Sequence, residues 1–420
     1  MRAYVLAAIM ACGNPPLAET EPTTPPPVPV PEAPASRTVW VLASERPAEG
    51  VVVAFHDAVD GTLLGLARTN DDGLAAGPAA PEAVVTVVTN GIATSFFDLP
   101  DGEVVELGYP GTGAGVRAVD IQLDDLFDGA SRHRASAGCS TNGAALELGV
   151  PVSVFALEPC WADRGSVDVL AVALDVAGRV LAASAIADLG IPEAGNGAIL
   201  PRWSTELDAV DVLWTAGPPP RELVTSVTVG RRGRFFPLTQ QFGPGVDDAW
   251  TFALAPVGFA DAVELDHTWS TPDTAVRRTE RIPDVPREVI VVGRDFAPDL
   301  VATWDPTTAT VTVEAGDGPE DPVLAKLAQL RLTDGEGVLR LWNVIGPPDV
   351  DRFLLPELPT DLRGLEARGL TAQLVAADPD AIDRVGRHWA VRPANSGPPP
   401  EVLDSEAFRW LVWSEIQTFN

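Results

Sequence analysis

The sequence predicts an all-β protein, mainly several β-sandwich domains in tandem with few short helices. Three observations lead there. Apolar, β-branched runs of strand length recur along the whole body, Asp-Gly and Asn-Gly pairs stand at the turns between them, and helical signals are confined to two short stretches. Of 420 residues, 46% are hydrophobic and 21% charged, a composition that folds rather than one that stays disordered. The formal net charge is −30, with acidic side chains dispersed along the chain. Such a surface disfavours phosphate backbones and anionic headgroups, so nucleic acid is not an expected partner. Lys326 is the only lysine, and the other cations are arginines.

The chain opens with Arg2, an apolar run from Ala3 to Ala11, and then Ile9-Met10-Ala11-Cys12, which sets a small residue directly before a cysteine. This string resembles the signal peptide and lipobox of bacterial lipoproteins. The resemblance implies cleavage before Cys12, acylation of that cysteine, and a lipid-anchored place in the bacterial cell envelope, on the outer membrane or facing the periplasm. Residues 13 to 37 carry Pro15, Pro16, Pro22, Pro25, Pro26, Pro27, Pro29, Pro31 and Pro34 among small and acidic residues. That composition favours extended polyproline II, and at about 3.1 Å per residue it reaches roughly 80 Å. It reads as a spacer between the anchor at 1–12 and the body.

The first unit of the body is expected over 38–110. Gly50 to Phe55 and Thr62 to Thr69 flank Asp60-Gly61, and Ala83 to Thr89 and Ile92 to Phe97 flank Asn90-Gly91, which gives two hairpins. The string VVVAFHDAVDGTLLGLARTNDDG followed by EAVVTVVT resembles the carboxypeptidase regulatory-like family, a small transthyretin-like β-sandwich. Asp60, Gly61, Thr69, Asp72 and Gly73 occupy the positions of its turn and corner, while Glu82 and Ala83 stand where that family has an aromatic. The resemblance implies a structural or recognition module without peptidase chemistry.

Residues 111–290 are expected to be β-rich, with a possible break at Gly217-Pro218-Pro219-Pro220. Val150 to Ala156, Val167 to Leu174, Arg179 to Ile186 and Leu223 to Val229 read as strands. AVALDVAGRVLAASAIADLG echoes the strand, turn, strand and Asp-x-Gly order of the first unit, either as a diverged repeat or as ordinary hairpin grammar. Cys139 and Cys160 are the even pair left if Cys12 is lipidated. In an oxidising compartment they form either a disulfide, credited with about 3 kcal/mol for such a loop, or two buried thiols.

A sandwich-like domain with a C-terminal helix is expected over 291–420. Leu300 to Trp304 and Thr310 to Glu314 flank a turn at Asp305-Pro306, and Gln329 to Leu332 and Val338 to Val344 flank Asp334 to Gly337. RFLLPELPTDLRGLEARGLTAQLVAAD, with Trp304 ahead of it, resembles the end of a fibronectin type III domain. Helix is expected at Pro322 to Ala328 behind Asp321 as cap, and at Ser405 to Thr418, where Phe408, Leu411, Val412 and Ile416 fall at helical spacing.

No Gly-x-Ser-x-Gly, His-Glu-x-x-His, Walker or kinase signature occurs, and no cofactor is called for. Gly111 to Gly115 opens no βαβ unit. His56, His133, His267 and His388 lie far apart in sequence, without ligand spacing. Two acidic clusters are calcium candidates, Asp120, Asp124, Asp125 and Asp128 in one and Asp317, Glu320 and Asp321 in the other. Both also read as solvated turns. Arg231-Arg232-Gly233-Arg234, followed by Phe235-Phe236, is the one basic island, either a charged hairpin tip or a receptor for an anionic partner. The resulting expectation is a lipid-anchored envelope protein acting as a binding or structural module toward an envelope protein or glycan. The alternative is a secreted hydrolase of peptide or glycan whose residues converge only on folding.

Overall fold

The computed structural model describes residues 36–43, 46–78, 83–89, 91–99, 101–107, 116–138, 144–157, 165–190, 198–215, 222–242, 249–296, 299–317, 319, 321–333, 339–356, 366–378 and 407–419. They form strands almost throughout, as expected, and close four two-sheet sandwiches.

The first sandwich comprises β1 (Ser36–Ala43), β2 (Arg46–Pro47), β3 (Val52–His56), β4 (Leu63–Arg68), β5 (Leu74–Pro78), β6 (Val84–Thr89), β7 (Ile92–Phe96) and β8 (Glu103–Leu107). The second has β9 (Val116–Gln122), β10 (Arg132–Ala137), β11 (Ala144–Ala145), β12 (Val152–Leu157), β13 (Ser166–Leu174), β14 (Val180–Gly190) and β15 (Ala198–Ile199). The third has β16 (Leu207–Thr215), β17 (Val224–Arg231), β18 (Arg234–Phe242), β19 (Ala249–Pro256), β20 (Ala262–Ser270), β21 (Thr274–Pro283) and β22 (Glu288–Val292), closed by a 3-10 turn at Gly293–Phe296. The fourth has β23 (Leu300–Asp305), β24 (Thr310–Ala315), β25 (Val323–Thr333), β26 (Leu339–Gly346), β27 (Arg352–Leu354), β28 (Glu366–Ala377) and β29 (Phe408–Thr418).

With the two-residue β2 set aside, the first three sandwiches share one strand plan. In each, the opening strand pairs antiparallel with the fourth and parallel with the last, as β1 does with β5 and β8, β9 with β12 and β15, and β16 with β19 and β22. The opposite sheets run β4-β3-β6-β7, β11-β10-β13-β14 and β18-β17-β20-β21. The body therefore repeats one architecture, although the sequence echo matches β3–β4 to β13–β14, which are not equivalent hairpins. Gly217 to Pro220 lies outside the described residues, between β16 and β17 of one sandwich. The fourth sandwich sets β23-β24-β27 against β26-β25-β28-β29.

Three of the four sandwiches are joined by main-chain hydrogen bonds. One twelve-stranded sheet runs β18-β17-β20-β21-β29-β28-β25-β26-β7-β6-β3-β4 through the third, fourth and first. The joins are the antiparallel pair β21–β29, from Thr274↔Glu415 to Arg281↔Phe408, and the parallel pair β26–β7, from Leu341↔Ile92 to Ile345↔Phe96. In the fourth sandwich both faces of this sheet are buried. On β29, Leu411 and Trp413 feed one core while Phe408, Trp410 and Val412 feed another, which also holds Val39, Phe55 and Phe96 of the first sandwich.

That double burial corrects both helix expectations. Residues 323–333 and 408–418 are strands, and Asp321, expected as a cap, is ion-paired to Arg409 at its Oδ1 and bonded to Arg409 Nε at 3.0 Å. A strand covered on both faces presents a continuous apolar run, and its period-2 signature disappears.

The second sandwich stands outside the long sheet and has its own core around Ile121, Val154 and Val169. It meets the third through an apolar seam, where Leu170, Val172, Leu174, Val180 and Ala183 join the core that holds Phe236 and Phe252, and through the basic island, which forms the β17–β18 hairpin tip. Arg231 Nε lies 3.6 Å from Asp168 Oδ2, and Arg232 Nη1 lies 2.6 Å from Asp188 Oδ1, an ion pair that raises the Arg232 pKa. Ala183 of β14 and Ser204, on the connection from β15 to β16, exchange backbone hydrogen bonds.

Candidate functional site

The β3–β4 hairpin forms one end of the long sheet and carries exposed apolar side chains. Its turn is built by short side chains. Asp57 Oδ1 accepts from Val59 N and Asp60 Oδ1 from Thr62 N, at 2.8 and 2.9 Å, and hydrogen bonds from the Thr62 side chain and then its backbone hold the Asp60 carboxyl below its ordinary pKa. Gly61 has φ 71°, and a Cβ there would lie 3.2 Å from Pro356 Cα, so the turn packs directly on the fourth sandwich. At the other end Thr69 Oγ1 accepts from Val51 N at 2.9 Å and donates to Ala48 O. Gly73, at φ 76°, lies so close to Val41 O that a Cβ would come within 2.5 Å. Asp60, Gly61, Thr69 and Gly73 thus shape the hairpin and its corner, whereas at the corner Asn70, not Asp72, supplies the side chain, its Oδ1 accepting from Asp72 N and Leu74 N at 3.1 and 2.8 Å.

Two surfaces result. Along β4, Leu64 and Leu66 share a face and are 38% and 56% exposed. At the tip, Val59 is 81% exposed and borders an open cleft of about 720 Å³ between the first and fourth sandwiches, lined also by Phe97, Asp98, Arg352 and Leu354. Phe97 meets Phe353 edge-on, with ring centroids 5.2 Å apart. Clefts at unit junctions are common ligand sites, and free sheet edges bind extended chains.

The acidic candidates separate. Asp120 lies on β9 and accepts from Ser153 Oγ at 2.6 Å. Asp124, Asp125 and Asp128 line a depression of about 640 Å³ with Arg202 and Trp203, whose indole Nε1 donates to Asp125 O at 3.0 Å. Among the described residues, no group of three or more His, Cys, Asp or Glu side chains is arranged to hold a metal ion. Asp321 is taken by Arg409. Cys12, Cys139 and Cys160, with Glu320 and His388, lie outside the described residues.

The described histidines are packing elements. His56 is fully buried beneath the hairpin, and burial holds its pKa down to about 4. His133 accepts from Phe127 N at 3.1 Å, lies 5.3 Å from the Trp203 ring, and is pushed down by burial. His267 sits at 2.9 Å from Thr225 Oγ1, edge-on to Trp214 and Phe296. Burial and then the Arg278 charge bring its pKa to about 3. Charged pairs cross the β20–β21–β29 region: Arg277 with Asp266, Arg281 with Glu264, and Arg278 with Glu280 and Asp295. Sequence reasoning missed these pairs, because their only signal was alternation of charge along β20 and β21, and their register is non-local. Burial raises the Glu264 pKa, with Arg281 opposing it.

No protein-family model matches the sequence, and no curated protein matches it. Among solved structures, a streptococcal ancillary pilin is similar at 9% identity and a TM-score of 0.15, over 61% of this chain and 98% of that one. A calcium-stabilised adhesin with which an Antarctic bacterium binds ice is similar at 12% identity and a TM-score of 0.13, over 83% of this chain and 96% of the other. Superpositions at these scores carry no argument about function.

Proposed function

We propose that this chain is a bacterial envelope protein, anchored by lipid on Cys12 and held off the membrane by residues 13–37, whose body acts as a non-catalytic binding or structural module toward an envelope protein or glycan. The observation that carries the non-catalytic reading is the placement of the reactive side chains. His56, His133 and His267 are built into packing, and the buried carboxylates Asp168 and Asp295 face arginines. The continuous sheet suits a body that presents a surface, since opening it would break ladder hydrogen bonds at β21–β29 or β26–β7. The first sandwich is read as carboxypeptidase regulatory-like through Asp60, Gly61, Thr69 and Gly73, whose hydrogen bonds and tight contacts support that reading. The fourth is read as fibronectin type III-like, and Cys139 with Cys160 as a disulfide.

The test has two arms. Expression in a lipoprotein-competent bacterium should give a detergent-partitioning product beginning at an acylated Cys12, whereas a soluble product beginning elsewhere refutes the anchor. The purified protein should show no peptidase, esterase or glycosidase turnover with or without calcium and zinc. Activity that survives repurification and disappears on changing one cleft residue, such as Asp98, refutes the non-catalytic reading.

A further inference from the structure

The two ends of the long sheet are unequal. At one end β18 carries Pro237, which has no N–H to offer a further strand, and its pairing with β17 is irregular between Val227 and Thr228. The tip beside it is held against the second sandwich by Arg231 and Arg232. At the other end β4 pairs, among the described residues, only with β3; that ladder is irregular between Phe55 and His56 and its turn packs on Pro356, but β4 carries no proline to block its outer edge. Its one charge is Arg68 at its end, which donates to Gly50 O, and its outward face shows Leu64 and Leu66 before that arginine. Gly65 lies against Pro78, where a Cβ would come 2.8 Å from Pro78 Cδ, so the opposite face of the strand is closed and only the leucine face and the edge are open.

We propose that β4 pairs with β4 of a second copy of this chain, in an antiparallel two-fold register centred on Gly65. The strand is self-complementary in that register. With Gly65 opposite Gly65, Leu64 of each copy stands opposite Leu66 of the other on one face, and Leu63 opposite Ala67 on the other. Arg68 falls opposite the uncharged Thr62, so no like charges meet. A β18–β4 head-to-tail pairing, which would propagate as a fibre, is blocked by Pro237, whereas the two-fold pairing closes at two copies. A single six-residue edge is a small interface, so the association is weak and concentration-dependent. The net charge of −30 on each copy opposes it. Added salt therefore strengthens it by screening, the reverse of a salt-bridged interface. This proposal does not depend on the lipid anchor or on the module's ligand.

Sedimentation velocity on the full chain in detergent, across a concentration series at low and high salt, should show a monomer–dimer equilibrium that shifts toward dimer with salt. Leu66→Lys, at an exposed position, should lower the association constant at least tenfold while the circular dichroism spectrum stays unchanged. In the Leu64→Cys/Leu66→Cys double variant, oxidation should give an interchain 64–66 disulfide, identified by peptide mass spectrometry, well above any 64–64 product. A monomer at every concentration and salt, a dimer indifferent to Leu66→Lys, or cross-linking dominated by 64–64 would each overturn the register or the pairing.

Discussion

His267 ties the stability of the third sandwich to pH in a way that can be worked out in advance. Its ring is fully buried between β17 and β20, at 2.9 Å from Thr225 Oγ1, with Trp214 and Phe296 edge-on and Arg278 opposite it on β21. Desolvation and the guanidinium both disfavour an imidazolium there, hence a pKa near 3 against 6.5 in the unfolded chain. The native state thus binds fewer protons than the unfolded state between those values. The contribution of the neutral ring is complete above pH 6.5 and falls away as pH drops toward 3. At pH 5 the difference amounts to about 2 kcal/mol, a large part of the stability of an ordinary domain.

The measurement is urea unfolding followed by tryptophan fluorescence at pH 7.5 and pH 5, comparing the native chain with His267→Gln. Glutamine keeps a hydrogen-bonding group near Thr225 but does not titrate. Its absolute stability will differ, so the readout is the difference between the two pH values. The native protein should lose about 2 kcal/mol more than the variant over that interval. Carboxylate titration, including the raised Glu264, is common to both proteins and cancels. Parallel pH profiles would refute the reasoning and show that His267 is either protonated in the fold or already neutral in the unfolded ensemble. His56, pulled down to about 4 by burial, acts in the same direction within the first sandwich.

Two further predictions concern joints. Arg231→Met should destabilise more than Arg232→Met in urea unfolding, because Asp168 is 1% exposed and would be left as a buried charge, a loss of about 3–5 kcal/mol. The exposed Arg232–Asp188 pair is screened by solvent and contributes little. Gly73→Ala should lower the melting temperature clearly more than Gly50→Ala. Both glycines have φ 76°, but a Cβ at Gly73 would meet Val41 O at 2.5 Å while one at Gly50 meets nothing; equal losses would mean that backbone strain alone decides.

What the sequence discloses follows the range of the interactions. The hairpins around Asp60-Gly61 and Asn90-Gly91 are set by neighbours within a few residues, and they stand where expected, as β3–β4 and β6–β7. The strands β25 and β29 were hidden because both their faces are buried, so FRWLVW carries no alternation and matches a helical face by accident. Fusion of the sandwiches depends on partners as distant as Ile92 and Leu341, and no local pattern encodes that register. The site was legible in its turn and corner residues. The exposure of Leu64 and Leu66 was not, since an edge strand and a central strand can share one alternation.

The charge balance looks different once the arginines are placed. Arg278 and Arg281 are buried on β21 against Glu280, Asp295 and Glu264, with Arg281 also stacked 3.8 Å above the Phe235 ring. Arg409 is turned to Asp321, and Lys326, the only lysine, is 5% exposed and paired with Asp351. Arg278, Arg281 and Lys326 are therefore withdrawn from solvent, the two arginines beside carboxylates that are themselves largely covered and the lysine beside the exposed Asp351. The surface seen by another molecule is accordingly poorer in positive charge than the composition suggests. Contact between two copies then depends on an uncharged patch such as β4, at an ionic strength high enough to screen the rest.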